Sequence, residues 1–280
     1  MKIENSRINV VTYPYWHYTF AYCLDSIAAC GFRNIEFWAA SPQYCYADYT
    51  AKERENRKRE IMEMLCRRNL AMPVFHPEQS NMYPLNIASP EKYIRDHSMQ
   101  YVREYIDDAA FFGSKVMVLA PGRRDHDDEN PDHYKRALES IQALSEYAGQ
   151  YKDLTLVIEE WPAYLCAFAD NLQNLKKLLA DVNCANVKAC LNTCSMHDNQ
   201  ETIAAWLQSI GDELALVHFA DTGAQTLGAG QDAAGDLAAL ADSGYEGTLS
   251  LNIQFRDCCV APDKPVFASA AWLKRNGYWV

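Results

Sequence analysis

The chain reads as an α/β protein, a closed (β/α)8 barrel forming one domain over residues 1–280. Three observations predict it. Short β-branched or apolar runs alternate with longer segments of helical spacing from one end of the chain to the other. Eight such strand-helix units fit into 280 residues, where a barrel of this kind takes about 250 and an open doubly wound sheet would call for two domains. No Gly/Ser/Pro-rich linker divides the sequence.

Taken in order, the strands are expected at 8–12 (INVVT), 34–38 (NIEFW), 72–76 (MPVFH), 115–119 (KVMVL), 155–159 (TLVIE), 187–191 (VKACL), 214–219 (LALVHF) and 248–252 (TLSLN). Between the third and fourth, the spacing predicts a helix over 90–112. Ser89 would cap it, Pro90 would take its first position and Gly113 would end it. Ile94, Val102, Tyr105, Ala109 and Phe112 make its apolar stripe. The charge-rich loop 123–132 follows the fourth strand, where barrel loops reach toward an active site; taken by itself it is a solvated surface loop. Gly228-Ala229-Gly230 lacks the third glycine and the strand-turn-helix setting of a dinucleotide fingerprint, and is expected to be a flexible loop.

Composition narrows the partners. With 37 acidic against 26 basic residues, the formal charge is −11, so a nucleic-acid backbone would meet a repulsive mean field. No stretch approaches the roughly 20 apolar residues of a membrane span, and the opening MKIENSRINVV lacks the apolar core of a signal peptide. A cytoplasmic protein is expected, with neither a nucleic-acid nor a membrane partner. The 10 cysteines form no C-x-x-C pair, which argues against structural zinc. Cys23, Cys30, Cys66 and Cys190 stand in apolar stretches, where cysteine acts as a small hydrophobe. The vicinal pair Cys258-Cys259 has no role in this reading.

In a barrel, chemistry sits at the carboxyl ends of the strands. Here those ends are polar: Glu36-Phe37-Trp38, His76-Pro77-Glu78, Glu159-Glu160-Trp161, Asn192, His218 with Asp221 beyond it, and Asn252. One such residue is ordinarily a hydrogen-bonded structural group, but several converging on one mouth point to a site. Trp38 and Trp161 would offer apolar faces to a small ligand, with Tyr15 and Trp16 as a further wall, while His76, Glu78, His197 and Asp221 would bind its polar groups. Glu160 follows Glu159 directly, so in regular strand geometry it would point to the opposite side.

With these residues in hand, the chain resembles the xylose isomerase-like TIM barrels, and within them the branch of the fructoselysine 3-epimerase and the tagatose/psicose 3-epimerases. The likeness runs through CLDSIAACGFRNIEFWAASP, FHPEQSNMYPLNIASPEKYIRDHSMQYV, LTLVIEEWP, VKACLNTCSMH, LALVHFAD and YEGTLSLN, in that order. It implies a divalent ion, Mn²⁺ or Mg²⁺, held by Glu, Asp, His and Glu on strands five to eight. Those positions are Glu159, Asn192, His218 and Asn252 here. Two carboxylates are thus replaced by carboxamides, and the branch's second glutamate and its strand-six histidine fall on Leu165 and Ser195. His197 is out of register, and the loop after strand seven is shorter than in the fructoselysine enzymes. Hard cations are held largely by anionic oxygen, so the resemblance implies an ion bound weakly or not at all.

Two-base epimerisation is affected too, because Asn252 has no acid-base equilibrium near neutral pH. Glu159 alone could still shuttle a proton on one face of an enediolate, with His218 or a weakly held ion stabilising its charge. The expected activity is therefore isomerisation or epimerisation of a small ketose or keto-sugar derivative, with Glu159 as catalytic base. The alternative is a silent paralogue that binds carbohydrate or serves as a non-catalytic subunit. DNA-repair endonuclease activity, which related barrels perform with a larger metal cluster, is disfavoured by the acidic charge. A homo-oligomer is implied by the resemblance alone.

Overall fold

The structure, a computed structural model, describes residues 3–79, 85–128, 130–165 and 167–279. Eight parallel strands close into one barrel in chain order: β1 (Ile8–Val11), β2 (Asn34–Ala39), β3 (Ala71–Pro77), β4 (Val116–Leu119), β5 (Thr155–Glu159), β6 (Val187–Asn192), β7 (Leu214–Phe219) and β8 (Thr248–Leu251). The barrel closes through Ile8↔Leu249 and Val10↔Leu251. Around it lie α1 (Phe20–Ala29), α2 (Ala51–Arg67), α3 (Lys92–Phe112), α4 (Asp132–Ala148), α5 (Leu172–Val182), α6 (Thr193–Asp198), α7 (Ile203–Ile210), α8 (Asp232–Asp242) and α9 (Asp263–Arg275). Each strand end lies within one residue of expectation. Among the described residues, no helix is long and apolar enough to cross a membrane.

Strands of a parallel barrel are covered on both faces, which is why they read as nearly unbroken apolar runs. Inside, Val74, Val116, Val118, Val157, Cys190 and Leu216 form a packed layer. Partners in a parallel register share a face, so the register that sets Glu36 beside Val74 turns Glu36 inward. It also sets Trp38 beside His76. Likewise Glu159 pairs with Cys190 and Asn192 with His218, so these four side chains face the interior. On the outer side, Phe37, Phe75 and Phe112 pack with ring centroids 5.8–6.3 Å apart. Tyr44 and Tyr105 extend this aromatic cluster, which locks α3 onto β2 and β3.

The helix between β3 and β4 starts at Lys92, not at Pro90. Ser89 Oγ accepts the Glu91 N–H two residues on, making a turn instead of a cap. Gly113 ends the helix in the left-handed conformation (φ 76°), as expected. The buried stripe starts at Ser98, and Ile94 in the first turn is exposed. Cys66 is also exposed, because the buried face of α2 is Lys58, Ile61 and Leu65. The nine described cysteines are all free. No described residue of loop 123–132 lines the cavity at the barrel mouth. Arg123 is instead pinned through its backbone to the Asn86 side chain.

The β7–α8 loop is built tightly around one carboxylate. Asp221 Oδ1 and Oδ2 accept backbone N–H groups from Thr222, Gly228 and Asp232 at 2.7–3.1 Å. Gly228 adopts φ +86°, and a Cβ there would stand 2.4 Å from Trp272 Cδ1. Gly228→Ala combines left-handed strain with overpacking and is expected to cost about 2–4 kcal/mol. A urea midpoint lowered at unchanged slope would show it; an unchanged midpoint would contradict the packing described.

Candidate functional site

At the carboxyl ends of the strands lies a cavity of about 180 Å³ lined by Tyr13, Trp38, His76, Glu78, Glu159, Trp161 and their neighbours. A larger cleft of about 740 Å³ lies between α5 and α7, beside the starts of β6 and β7. That end of a barrel serves stability, not chemistry.

Beneath the cavity, two carboxylates share one imidazole. His218 Nδ1 lies 2.7 Å from Glu159 Oε1, and Nε2 lies 2.9 Å and 3.1 Å from the two oxygens of Glu36. Both ring nitrogens face carboxylates, which accept only, so both carry protons and the ring is an imidazolium. His76 Nδ1 meets the same Glu36 Oε1 at 2.7 Å, and its ring stacks on His218 with centroids 5.6 Å apart. Burial alone would raise both carboxyl groups, but the charge and hydrogen bonds of His218 outweigh it and hold Glu36 and Glu159 below the usual carboxylate range. Burial likewise opposes the His218 charge, yet its neighbours push the ring well above an ordinary histidine. Cys190 among them is held as a thiol, pushed up by burial to about 12, so the two carboxylates carry the effect.

Of the four positions implied for a metal, Glu159, Asn192 and His218 are joined by hydrogen bonds, and Asn252 is not part of that set. Asn192 Nδ2 donates to Glu159 Oε1 at 3.1 Å, while its Oδ1 accepts the Cys194 N–H at the start of α6. Asn252 Oδ1 accepts from Gln254 Nε2 at 3.0 Å. Both carboxamide oxygens are thus committed to other donors. Two of the quartet's four side chains are uncharged amides, a donor set that does not fit a hard divalent ion. Ligand-type atoms do gather elsewhere: those of Glu36, His76 and His218 lie within 4.8 Å of one another, as do those of Glu159, Cys190 and His218.

Trp38 and Trp161 both line the cavity. Tyr13, not Tyr15, completes the wall, edge-on to Trp38 at 5.1 Å. Tyr15 is buried in the core with its hydroxyl on Ser26, and Trp16 packs behind Trp38 with its indole N–H on the Ser41 carbonyl. His76 and Glu78 line the cavity as expected positions. Two expected ligand-binding residues do not reach it. His197 points from α6 to α8, where Nε2 meets Asp236 Oδ2 at 2.8 Å. Asp221 is consumed by the backbone amides of its own loop. Glu160 does border the cavity, because β5 ends before it and strand alternation no longer applies. Burial pushes its carboxyl up to about 8 despite the Asn199 amide on Oε1 at 2.6 Å.

Glu36 was the residue that sequence reasoning left without a role. The signal was present, since Glu36 and Trp38 are two apart in NIEFW and so share a face. Gln254, beyond β8, carried no such signal. The vicinal cysteines, with Sγ atoms 3.7 Å apart, lie at the same rim, where the Cys259 thiol meets the Tyr13 carbonyl at 3.9 Å.

A family model described as xylose isomerase-like TIM barrel matches residues 24–276. No curated protein matches the sequence. Among solved structures, the D-psicose 3-epimerase of Clostridium cellulolyticum H10 superimposes with a TM-score of 0.79 at 18% identity, over 97% of this chain and 98% of its own. The 3-keto-D-glucoside 4-epimerase of E. coli gives 0.78 at 16% identity over 96% and 99%. A probable 3-DHS dehydratase of Bacillus anthracis gives 0.72 at 16% over 98% and 99%. At these identities the likeness is one of fold.

Burial would raise the Asp221 carboxyl, but the amides of Thr222, Gly230, Gly228 and Ala233 outweigh it and hold the group low. A carboxyl depressed in the folded state adds stability that is complete above its unfolded pKa of about 3.9 and fades as pH falls through the folded value. Asp221→Asn is therefore expected to cost about 1–3 kcal/mol at neutral pH, with the gap to the parent closing below pH ~4. Urea unfolding at several pH values measures it, and a gap that is constant with pH would refute the assignment.

Proposed function

The chain belongs to the xylose isomerase-like TIM barrel family, and we propose that within it the protein isomerises a small ketose or keto-sugar derivative, using Glu159 as a single base. One observation carries this reading. Glu159 borders the cavity as an ionised carboxylate oriented by His218 and Asn192, while the β8 position Asn252 offers an amide. Acid-base capacity from the implied quartet is thereby confined to one side of a bound sugar, which suits proton transfer between adjacent carbons on one face.

In this reading the rings of Tyr13, Trp38 and Trp161 pack on C–H faces, and His76 and Glu78 meet hydroxyl or carbonyl oxygens. Glu159 removes the proton next to the carbonyl. The electron pair moves onto the carbonyl oxygen, and the His218 imidazolium, one hydrogen bond from the base, offsets part of that charge. Glu159 then returns the proton to the former carbonyl carbon, while the proton of the adjacent hydroxyl passes to the former carbonyl oxygen, so that the carbonyl now stands on the neighbouring carbon. No step runs through a metal at the implied quartet, which the carboxamides do not suit. The relatives of known structure named for epimerases support the substrate class and leave the individual sugar open to assay.

A second reading is favoured by the same carboxamides: a barrel that binds carbohydrate without turning it over. Incubation with a panel of ketoses in D2O separates the two. Isomerisation predicts deuterium next to the carbonyl of one of them, and Glu159→Gln is expected to slow this by at least about 100-fold while the sugar still binds. Exchange that survives Glu159→Gln would remove Glu159 as the base. Saturable binding without exchange in the parent would establish the silent reading instead.

A further inference from the structure

We propose that Glu36, His76 and His218 form a binding site for one divalent transition-metal ion, displaced toward β2 and β3 from the positions that the family resemblance implies. The inference goes beyond the isomerase reading and does not depend on it. The donor atoms are His76 Nδ1, His218 Nε2 and a Glu36 carboxylate oxygen, all within 4.8 Å of one another. Metal-to-ligand distances of about 2.0–2.2 Å require donors no more than about 4.4 Å apart, and both ring-nitrogen contacts to Glu36 Oε1, at 2.7 and 2.9 Å, meet that condition. Glu36 is the hub, since its Oε1 lies 2.7 Å from one ring nitrogen and 2.9 Å from the other. The aromatic packing outside β2 and β3 fixes the strands that carry Glu36 and His76.

The surroundings are those of a ligating histidine. A histidine that binds a metal through one nitrogen almost always donates its other N–H to a carboxylate or carbonyl. His218 Nδ1 already has that partner in Glu159 Oε1 at 2.7 Å. Charge points the same way. Glu36 and Glu159 are two buried carboxylates around a single fully enclosed ring, and a divalent cation balances them with both histidines neutral. His76, whose side chain is 15% exposed and borders the cavity, supplies the route of entry. The other cluster, Glu159, Cys190 and His218, is the poorer host, because Cys190 is enclosed beneath the cavity and burial opposes its thiolate.

Two imidazoles and one carboxylate select borderline ions such as Zn²⁺, Co²⁺ or Fe²⁺ over Mg²⁺, Mn²⁺ or Ca²⁺, which call for oxygen donors. This reverses the metal preference expected for the quartet. Three protein ligands also leave a coordination position for water or a ligand oxygen, as catalytic zinc sites do.

The test uses the full chain, freed of metal with a chelator and titrated with Zn²⁺ by calorimetry and with Co²⁺ by visible absorption. The proposal predicts one ion per chain and Co²⁺ bands of a nitrogen-ligated site. His76→Asn, at the partly exposed ligand, is expected to weaken binding by at least about 100-fold and to alter the bands, and Asn252→Ala to leave both unchanged. Glu36→Gln is the second ligand variant, read only if its circular dichroism matches the parent. No stoichiometric uptake, uptake indifferent to His76→Asn, or uptake lost with Asn192→Ala or Asn252→Ala would each overturn the proposal. No readout involves a sugar, so failure here and failure of the isomerase reading remain separate results.

Discussion

Two carboxylates brought to one imidazole in the middle of a closed barrel are the constraint on which the rest of the site depends. Removing an ionised group from water costs several kcal/mol unless charge and hydrogen bonds replace the lost solvation. Glu36 and Glu159 meet that condition through His218, with His76 and Asn192 completing the set. These groups come from β2, β3, β5, β6 and β7, and only barrel closure brings strands so far apart in sequence onto one axis. The apolar layer of Val74, Val116, Val118, Val157, Cys190 and Leu216 beneath them keeps water out and strengthens every interaction above it.

The two asparagines follow from the same electrostatics. An aspartate at 192 would set a third carboxylate beside Glu159, which the cluster could hold only with another positive charge. Asn192 turns that contact into a hydrogen bond and spends its oxygen on the first turn of α6. That oxygen carries no full negative charge to offset the dehydration of a hard cation. Asn252 is similarly settled, held through its backbone to Phe219 and through its side chain to Gln254. Asn192 and Asn252 are uncharged, and the buried ion cluster is Glu36, Glu159 and His218, from β2, β5 and β7.

The barrel was legible because its signal is local and repeated. Each strand announces itself by a run such as TLVIE or LALVHF, and closure follows from their number. Side-chain partners were legible only where strand alternation settles them, as for Trp38, His76, Glu159 and His218. Beyond the strand ends the rule fails. Asp221 reads as a pocket residue until the loop is seen folding its amides around it, and His197 until α8 supplies Asp236. Ser89 reads as a cap although its hydroxyl is spent one residue early, on Glu91. Glu36 fell outside the reading for a different reason. The positions implied by the resemblance lie on strands five to eight, whereas Glu36 is marked only by the period of two in NIEFW.

The position of Glu160 shows why the end of a strand matters as much as its course. Had β5 continued, Glu160 would have faced the helices instead of the mouth. Because the strand stops at Glu159, consecutive carboxyl groups reach the same region in opposite states. Glu159 is held ionised by an imidazolium, whereas Glu160, bonded on one oxygen to Asn199 and, among the described residues, unpartnered on the other, keeps its proton through neutral pH. Environments that push two carboxyl groups apart in this way separate a proton acceptor from a proton donor. With an amide, Asn252, at the end of β8, the mouth therefore still holds both kinds of group, and they are set by the termination of one strand.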